Sequence, residues 1–276
     1  MGICSESPVT NPSSSRIVYR GDVMGKAKSG IAFGGGGTRG IAHVGAIRVF
    51  QEYGIDFDYV AGNSAGAIAG ALYAADIPWS RLYEYVLEIK QRLPAKTLFT
   101  YIEPRVVQDL ADHFLKGRTF DDLSKPFCAT AVDLERGTLE ALRRGRVSAA
   151  VSASCAVPGV FRPVKIGDRT YIDGGTLRSI PTETLREMGA EKVVGIDLNS
   201  DKTKGTRSTK RFKVMITALN ISTNANSRLC EQYSDIMLRP ALEGYPTYCF
   251  KSVENVLRIG ERTAMENLAR IKELVG

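Results

Sequence analysis

A serine stands between two glycines in Gly62-Asn63-Ser64-Ala65-Gly66. The run Asp58-Tyr59-Val60-Ala61 precedes it and the small-residue stretch Ala67-Ile68-Ala69-Gly70-Ala71-Leu72 follows. A short buried strand, Gly-x-Ser-x-Gly and a helix is the order that a nucleophile elbow requires. Glycines two before and two after the serine remove Cβ atoms that would collide in so tight a turn, and Ser64 is pushed out at a helix N-terminus. With 27 glycines in 276 residues, the pentapeptide alone also fits a glycine-rich junction with a bystander serine. A second loop upstream favours the nucleophile. Gly34-Gly35-Gly36-Gly37-Thr38-Arg39-Gly40 joins the apolar Ile31-Ala32-Phe33 to a helix-like pattern from Ile41. Such a loop gathers backbone N–H groups around one point and adds the positive end of a helix dipole, so it suits an anion, bound or developing. Gly35-x-Gly37-x-x-Gly40 also satisfies the dinucleotide fingerprint, with Asp56 or Asp58 near where a ribose-binding acid belongs. A phosphate loop of the Walker type is disfavoured, because no Gly-Lys-Ser/Thr follows the glycines.

A nucleophilic serine needs a proton acceptor. The chain has two histidines, and only His113 follows Ser64. His113 sits in the amphipathic pattern Val106 to Leu115 and reads as a helix residue at the surface or half-buried. His43, in the first turns after the glycine loop, reads as a packing residue. A carboxylate is the natural substitute, and Asp173 in Arg169-Thr170-Tyr171-Ile172-Asp173-Gly174-Gly175 is the best placed. Two glycines after an aspartate at the end of a β-like run leave the carboxylate approachable from a second loop, although Asp-Gly alone also reads as a plain hairpin turn.

Gly-Gly-Gly-x-Arg-Gly, Gly-x-Ser-x-Gly and Asp-Gly-Gly, in that order, resemble the patatin-like phospholipase family of lipid acyl hydrolases. So do the connecting stretches Ala153 to Val164 and Gly189 to Asp197; the similarity runs from about Lys28 to about Asn199. The resemblance implies a Ser–Asp dyad of Ser64 and Asp173. It also implies an oxyanion hole from the backbone of Gly35, Gly36 and Gly37, with Arg39 as the basic residue that closes the loop, and elbow glycines Gly62 and Gly66. It implies phospholipid or lysophospholipid substrates and no metal or organic cofactor. Two departures bear on pocket polarity: Asn63 stands where threonine is usual, and Arg178-Ser179 stand where asparagine and small residues are common.

The elements that must position these groups follow from periodicity. Strands are expected near 29–33, 58–61, 127–134 and 192–198, with short strands flanking 162–172. Helices are expected at 41–53, 65–75, 79–92, 104–116, near 147–154 and 181–188, at 210–229 and at 250–274. This alternation implies an α/β fold with a mainly parallel central sheet and helices on both faces, the three-layer arrangement of patatin-like proteins, as one domain over residues 26–276. A hydrophobic content of 43% is enough for a sizeable core. The sequence has no internal repeat and no apolar run of 18 residues.

Residues 1–25 are rich in Ser, Pro and Asn and read as a flexible tail. Met1-Gly2-Ile3-Cys4 hints at acylation, weakened by Glu6 where serine or threonine is usual. Five scattered cysteines without metal-ligand spacing read as reduced thiols of a cytosolic protein. The net charge of +7 is uneven: Lys202, Lys204, Arg207, Lys210, Arg211 and Lys213 carry no acid among them and lead into Val214-Met215-Ile216. This is either a solvated loop before a helix or a docking patch for an anionic membrane surface, with Lys210, Arg211 and Lys213 nearest the helix. Nucleic acid is not expected as a partner, since only Phe212 supplies an aromatic there. The expected protein is a cytosolic, peripheral lipid acyl hydrolase. A nucleotide-binding protein and a catalytically silent lipid-binding scaffold are the alternatives.

Overall fold

The computed structural model describes residues 27–92, 103–200, 209–247, 250 and 252–276. The tail, Cys4, Cys249, Lys202, Lys204 and Arg207 therefore lie outside the described residues, as does the side chain of Lys213. In chain order the elements are β1 (Ser29–Phe33), α1 (Ile41–Glu52), β2 (Tyr59–Asn63), α2 (Ala65–Ala74), α3 (Trp79–Arg92), α4 (Arg105–Leu115), β3 (Phe127–Asp133) and β4 (Thr138–Leu142). They continue with α5 (Val147–Ser154), β5 (Val164–Ile166), β6 (Arg169–Asp173), α6 (Thr182–Met188), β7 (Lys192–Ile196), α7 (Arg211–Glu231), β8 (Ile236–Leu238), α8 (Val253–Glu266) and α9 (Leu268–Val275).

The strands form a sheet in the order β5-β6-β3-β2-β1-β7-β8, with β4 paired to β3. Strands β3, β2, β1, β7 and β8 are parallel; β4 and β6 meet β3 antiparallel, as β5 meets β6. The central strands are buried along their whole length, as parallel strands covered on both faces must be. Their alternate residues enter different cores. Ile31, Phe33, Val60, Phe127 and Ala129 join the large cluster with α1 to α5, α8 and α9. Ala32, Tyr59, Ala61 and Cys128 face a smaller cluster with Leu185 of α6 and Cys230 of α7. Burial of each Leu, Ile or Phe contributes about 1.5–3 kcal/mol, so the larger cluster carries most of the stability.

Most expected elements lie within a residue or two of their expected bounds. Two strands were not anticipated. The β4 stretch Thr-Leu-Glu-Ala-Leu is poor in β-branched and aromatic residues, and becomes a strand only because Gly137 (φ +67°) turns it back along β3. The three-residue β8 is too short to show a period. The last helix is broken at Asn267, whose backbone leaves the helical region and whose side-chain amide donates to the Thr263 carbonyl at 2.9 Å. Among the described residues no helix is long and apolar enough to cross a membrane.

Candidate active site

One edge of β3 brings the two chemical groups together. Along that edge β2 runs parallel and ends with Asn63 opposite Thr130. There β2 gives way to β6, which arrives antiparallel and ends with Asp173 opposite Ala131. The opposite edge is taken by β4. Two strands thus meet end to end on consecutive residues of a third. Ser64, the residue after β2, stands beside Asp173: both line one cleft, and the Ser64 hydroxyl is among the groups that draw the Asp173 carboxyl down.

Ser64 takes φ +52°, ψ −124°, a strained backbone for a residue with a side chain. The turn closes only because its flanking residues lack Cβ atoms. A Cβ on Gly62 would stand 2.3 Å from the Gly66 carbonyl oxygen, and one on Gly66 2.0 Å from that of Phe33. The Ser64 N–H donates to Ser154 Oγ at 2.8 Å, and Ser154 Oγ donates to the Thr130 carbonyl at 2.7 Å, tying the elbow to α5 and β3.

Asp173 is buried. Its Oδ1 accepts the Gly175 N–H at 2.7 Å and Asn63 Nδ2 at 3.3 Å. Burial pushes its carboxyl up to about 6, against the opposing pull of the hydrogen bonds from Ser64, Gly175 and Asn63. Near neutral pH the group is therefore mostly ionised, yet a better base than an ordinary carboxylate. Thr130 Oγ1 donates to Asn63 Oδ1 at 3.1 Å, which fixes the amide with its nitrogen toward Asp173.

The glycine loop lies beside Ser64. The Gly34 N–H donates to the Ile196 carbonyl at 3.1 Å and the Gly35 N–H to that of Ser179 at 2.9 Å; the Thr38 N–H donates to the Thr247 carbonyl at 2.7 Å. Gly35 thus lines the cleft with its N–H already committed. Gly36 and Gly37 keep N–H groups without a partner among the described residues. Arg39 is buried and turned away from the cleft, donating to the carbonyls of Tyr245 (2.8 Å) and Leu198 (2.9 Å), so it braces the loop from behind. Asn199 Nδ2 donates to the Gly35 carbonyl at 2.7 Å, and Asp197 accepts both the Asn199 N–H and Ser227 Oγ at 2.8 Å. This chain from α7 through β7 to the loop was not anticipated. Its only sequence signal is a pair of polar residues just past a buried strand.

The histidines stand apart from this chemistry. His43 is buried against Phe33, with Nε2 2.8 Å from the Gly34 carbonyl oxygen, and burial lowers it to about 4, so it is a neutral packing residue. His113 is exposed on α4. Asp56 and Asp58 precede β2, at the end of the sheet opposite the glycine loop, where Asp58 accepts the Ser29 N–H at 2.7 Å and Asp56 pairs with Lys125 at 2.6 Å. Neither can reach a ribose at the loop, which removes the observation behind the dinucleotide alternative.

Residues 31–186 match the family model described as patatin-like phospholipase. The chain belongs to that family. An uncharacterized NTE family protein of Mycobacterium tuberculosis is 29% identical over 201 residues, covering 69% of this chain and 54% of the relative. The lysophospholipase nte1 of Emericella nidulans is 30% identical over 204 residues, 68% of this chain and 13% of the relative. The chain therefore spans about half of the mycobacterial relative and a small part of the fungal one. Among solved structures, VipD from Legionella pneumophila shares the fold, with TM-score 0.54 at 14% identity over 89% of this chain and 67% of that one.

In this patatin-like chain the cleft over Ser64 is small, about 70 Å³, walled by the glycine loop, Asp173 and one face of α7. The departure from threonine at position 63 has a visible consequence, an amide that reaches the carboxylate. Asn63→Ala is expected to move the acid limb of the kcat/KM profile to higher pH, because a hydrogen bond that favours the ionised form is lost. A charge-assisted hydrogen bond is worth about 1.5–3 kcal/mol, so a loss of roughly ten-fold in kcat/KM below pH 6 should accompany the change. An unmoved limb would assign Asn63 to packing alone.

Proposed function

We propose that the chain is a lipid acyl hydrolase of phospholipase A or lysophospholipase type, cleaving carboxylic esters with Ser64 and Asp173. The observation that carries this reading is the meeting of Ser64 and Asp173 in one cleft with Gly36 and Gly37, whose N–H groups have no partner among the described residues. Ser64 Oγ attacks the ester carbonyl carbon as its proton passes to Asp173, and the developing oxyanion is met by the Gly36 and Gly37 N–H groups. Collapse breaks the bond to the leaving oxygen, which takes the proton from Asp173. Water then repeats the cycle on the acyl-serine, with Asp173 as base, and releases the fatty acid. One oxyanion donor is typically worth about 3 kcal/mol, so the loop matters as much as the dyad. No step calls for a group outside this chain other than water.

The substrate class is supported by the family and by the lysophospholipase name of the fungal relatives. The working partner in this reading is an anionic lipid surface met through the basic stretch before α7, of which Lys210 and Arg211 are exposed. A cytosolic location is supported by the buried free thiols of Cys128, Cys155 and Cys230. The test is labelling with a fluorophosphonate, which reacts with activated serines, followed by peptide mapping. An adduct on Ser64 that disappears in Ser64→Ala is expected, together with release of fatty acid from lysophosphatidylcholine. A folded protein that takes no adduct either alone or with anionic vesicles would exclude the hydrolase.

A further inference from the structure

Helix α7 is built the wrong way round for a helix in water. Its protein-facing side is largely polar: Asn220 and Thr223 join Ile216 and Leu219 in lining the cleft, and Ser227 bonds Asp197. Its solvent side carries Val214, Met215, Ala218, Ile221, Ala225 and Leu229, all exposed, with Ile221 at 55% and Leu229 at 50%. The spacing 214, 218, 221, 225, 229 keeps five of them on one stripe across four turns. A surface helix normally shows the opposite pattern, with charge outward. Among the described side chains the only charges on that side are Arg211 and Arg228, one near each end, and residues 202–230 contain no acid.

An apolar stripe with cations at its ends fits the boundary between anionic headgroups and acyl chains. A second copy of this chain fits less well. Two α7 helices packed antiparallel would set Arg211 of one beside Arg228 of the other, with no acid on that face to offset them. The same helix walls the site. The cleft, about 70 Å³, holds a few water molecules, and Ile216 and Leu219 are among the residues that line it. The C-terminal half of the helix is anchored by Ser227 Oγ on Asp197 at 2.8 Å and by the Cys230 carbonyl on Thr182 Oγ1 at 2.6 Å. Of the cleft-lining residues, Ile216, Leu219 and Asn220 lie in the N-terminal half, and Thr223 in the C-terminal half, where its Oγ1 donates to the Gly175 carbonyl at 3.3 Å.

We propose that the outward face of α7 seats on an anionic phospholipid surface, and that seating moves the N-terminal half of the helix off the cleft so that a lipid chain can enter. This rests on the hydrolase reading for its purpose but is tested apart from it. Inert Ser64→Ala protein is sedimented with phosphatidylglycerol–phosphatidylcholine vesicles, with and without the added pair Val214→Asp and Ile221→Asp. These residues touch neither the cleft nor the dyad, so the thermal melt should be unchanged while bound protein falls at least ten-fold. Opening is read with active protein and a water-soluble short-chain ester. Vesicles of non-hydrolysable diether phosphatidylglycerol should raise turnover several-fold, and should leave the Asp pair at its vesicle-free rate.

Equal sedimentation of the Asp pair would overturn the docking, and sedimentation without a rise in turnover would overturn the opening. A wild-type dimer that the Asp pair dissolves, with no vesicle binding, would make the face an interface between copies instead. Failure of the hydrolase reading would appear as absent Ser64 labelling even with anionic vesicles present and would leave the sedimentation result standing.

Discussion

Asp173→Asn should lower turnover by about two to four orders of magnitude and stabilise the protein. An asparagine cannot accept the Ser64 proton, and general-base contributions of this kind run to roughly 10²–10⁴-fold. The stability gain follows from burial. Asp173 is lifted to about 6 in the folded chain, whereas an unfolded aspartate ionises near 4. A group raised in this way contributes stability that is present below the unfolded value and is lost as pH rises through about 6. Above that pH the wild type therefore carries a cost of about 3 kcal/mol that a neutral amide does not. The amide oxygen that the substitution leaves in place of Oδ1 can still accept the Gly175 N–H and Asn63, so little is lost in exchange.

The variant should melt several degrees above wild type at pH 7.5, with the advantage gone near pH 4. His43 works in the other direction. Held to about 4 by burial, it contributes stability above about 6.5 that is lost as pH falls through about 4. In the wild type the two trends offset each other between pH 4 and 6, so the variant should lose stability more steeply on acidification. Wild-type kcat/KM should rise with pH to a plateau above about 6. Melting curves at the two pH values, with a pH–rate profile, check all of this. A variant less stable than wild type at pH 7.5 would mean that the carboxylate is not strained by its burial.

The elbow was legible because its signal is local: Gly62, Ser64 and Gly66 lie within five residues, and a single tight turn needs all three. The partnership of Ser64 with Asp173 was not legible from spacing. It depends on β2 and β6 sharing one edge of β3; in the sequence Asp173 is one candidate acceptor, nominated by the two glycines after it, and the pairing is what the family resemblance implies. Asn63, Thr130, Ser154 and Asn199 come from four separate segments; Asn63 stands out as a departure from threonine, and the other three are ordinary polar residues in their own stretches. Their function lies in the hydrogen bonds between them, which no single segment displays. Helix α7 was expected over nearly its full length, but its character was not. Its inner face is polar and its outer face apolar, so an ordinary reading of periodicity points the wrong side at the core. The glycine loop was legible as a loop, whereas the difference between Gly35 and the two glycines after it depends on a carbonyl 144 positions later, that of Ser179.

That difference yields the second large effect. Gly37→Ala is expected to lower kcat by 10²–10³-fold or more with little change in KM. Gly37 has φ +58°, and an added Cβ would stand 2.4 Å from the Thr247 carbonyl oxygen, the same oxygen that accepts the Thr38 N–H. Two costs combine. The left-handed backbone disfavours any side chain by roughly 1–2 kcal/mol. The clash is with backbone on a neighbouring loop, so the glycine loop itself must shift and carry the Gly37 N–H with it. A donor aimed at the oxyanion acts in the transition state, and losing one costs about 2.7–4 kcal/mol there while ground-state binding is spared. Gly54→Ala is the matched control. It has φ +66° and nothing within 4 Å of an added Cβ, so it bears the backbone cost alone and lies far from the cleft. Its melting temperature should fall slightly with kcat unchanged. Steady-state kinetics on a short-chain ester separates the two variants. A Gly37→Ala enzyme that keeps kcat within ten-fold of wild type would place the oxyanion elsewhere, leaving the Gly37 N–H without a catalytic role.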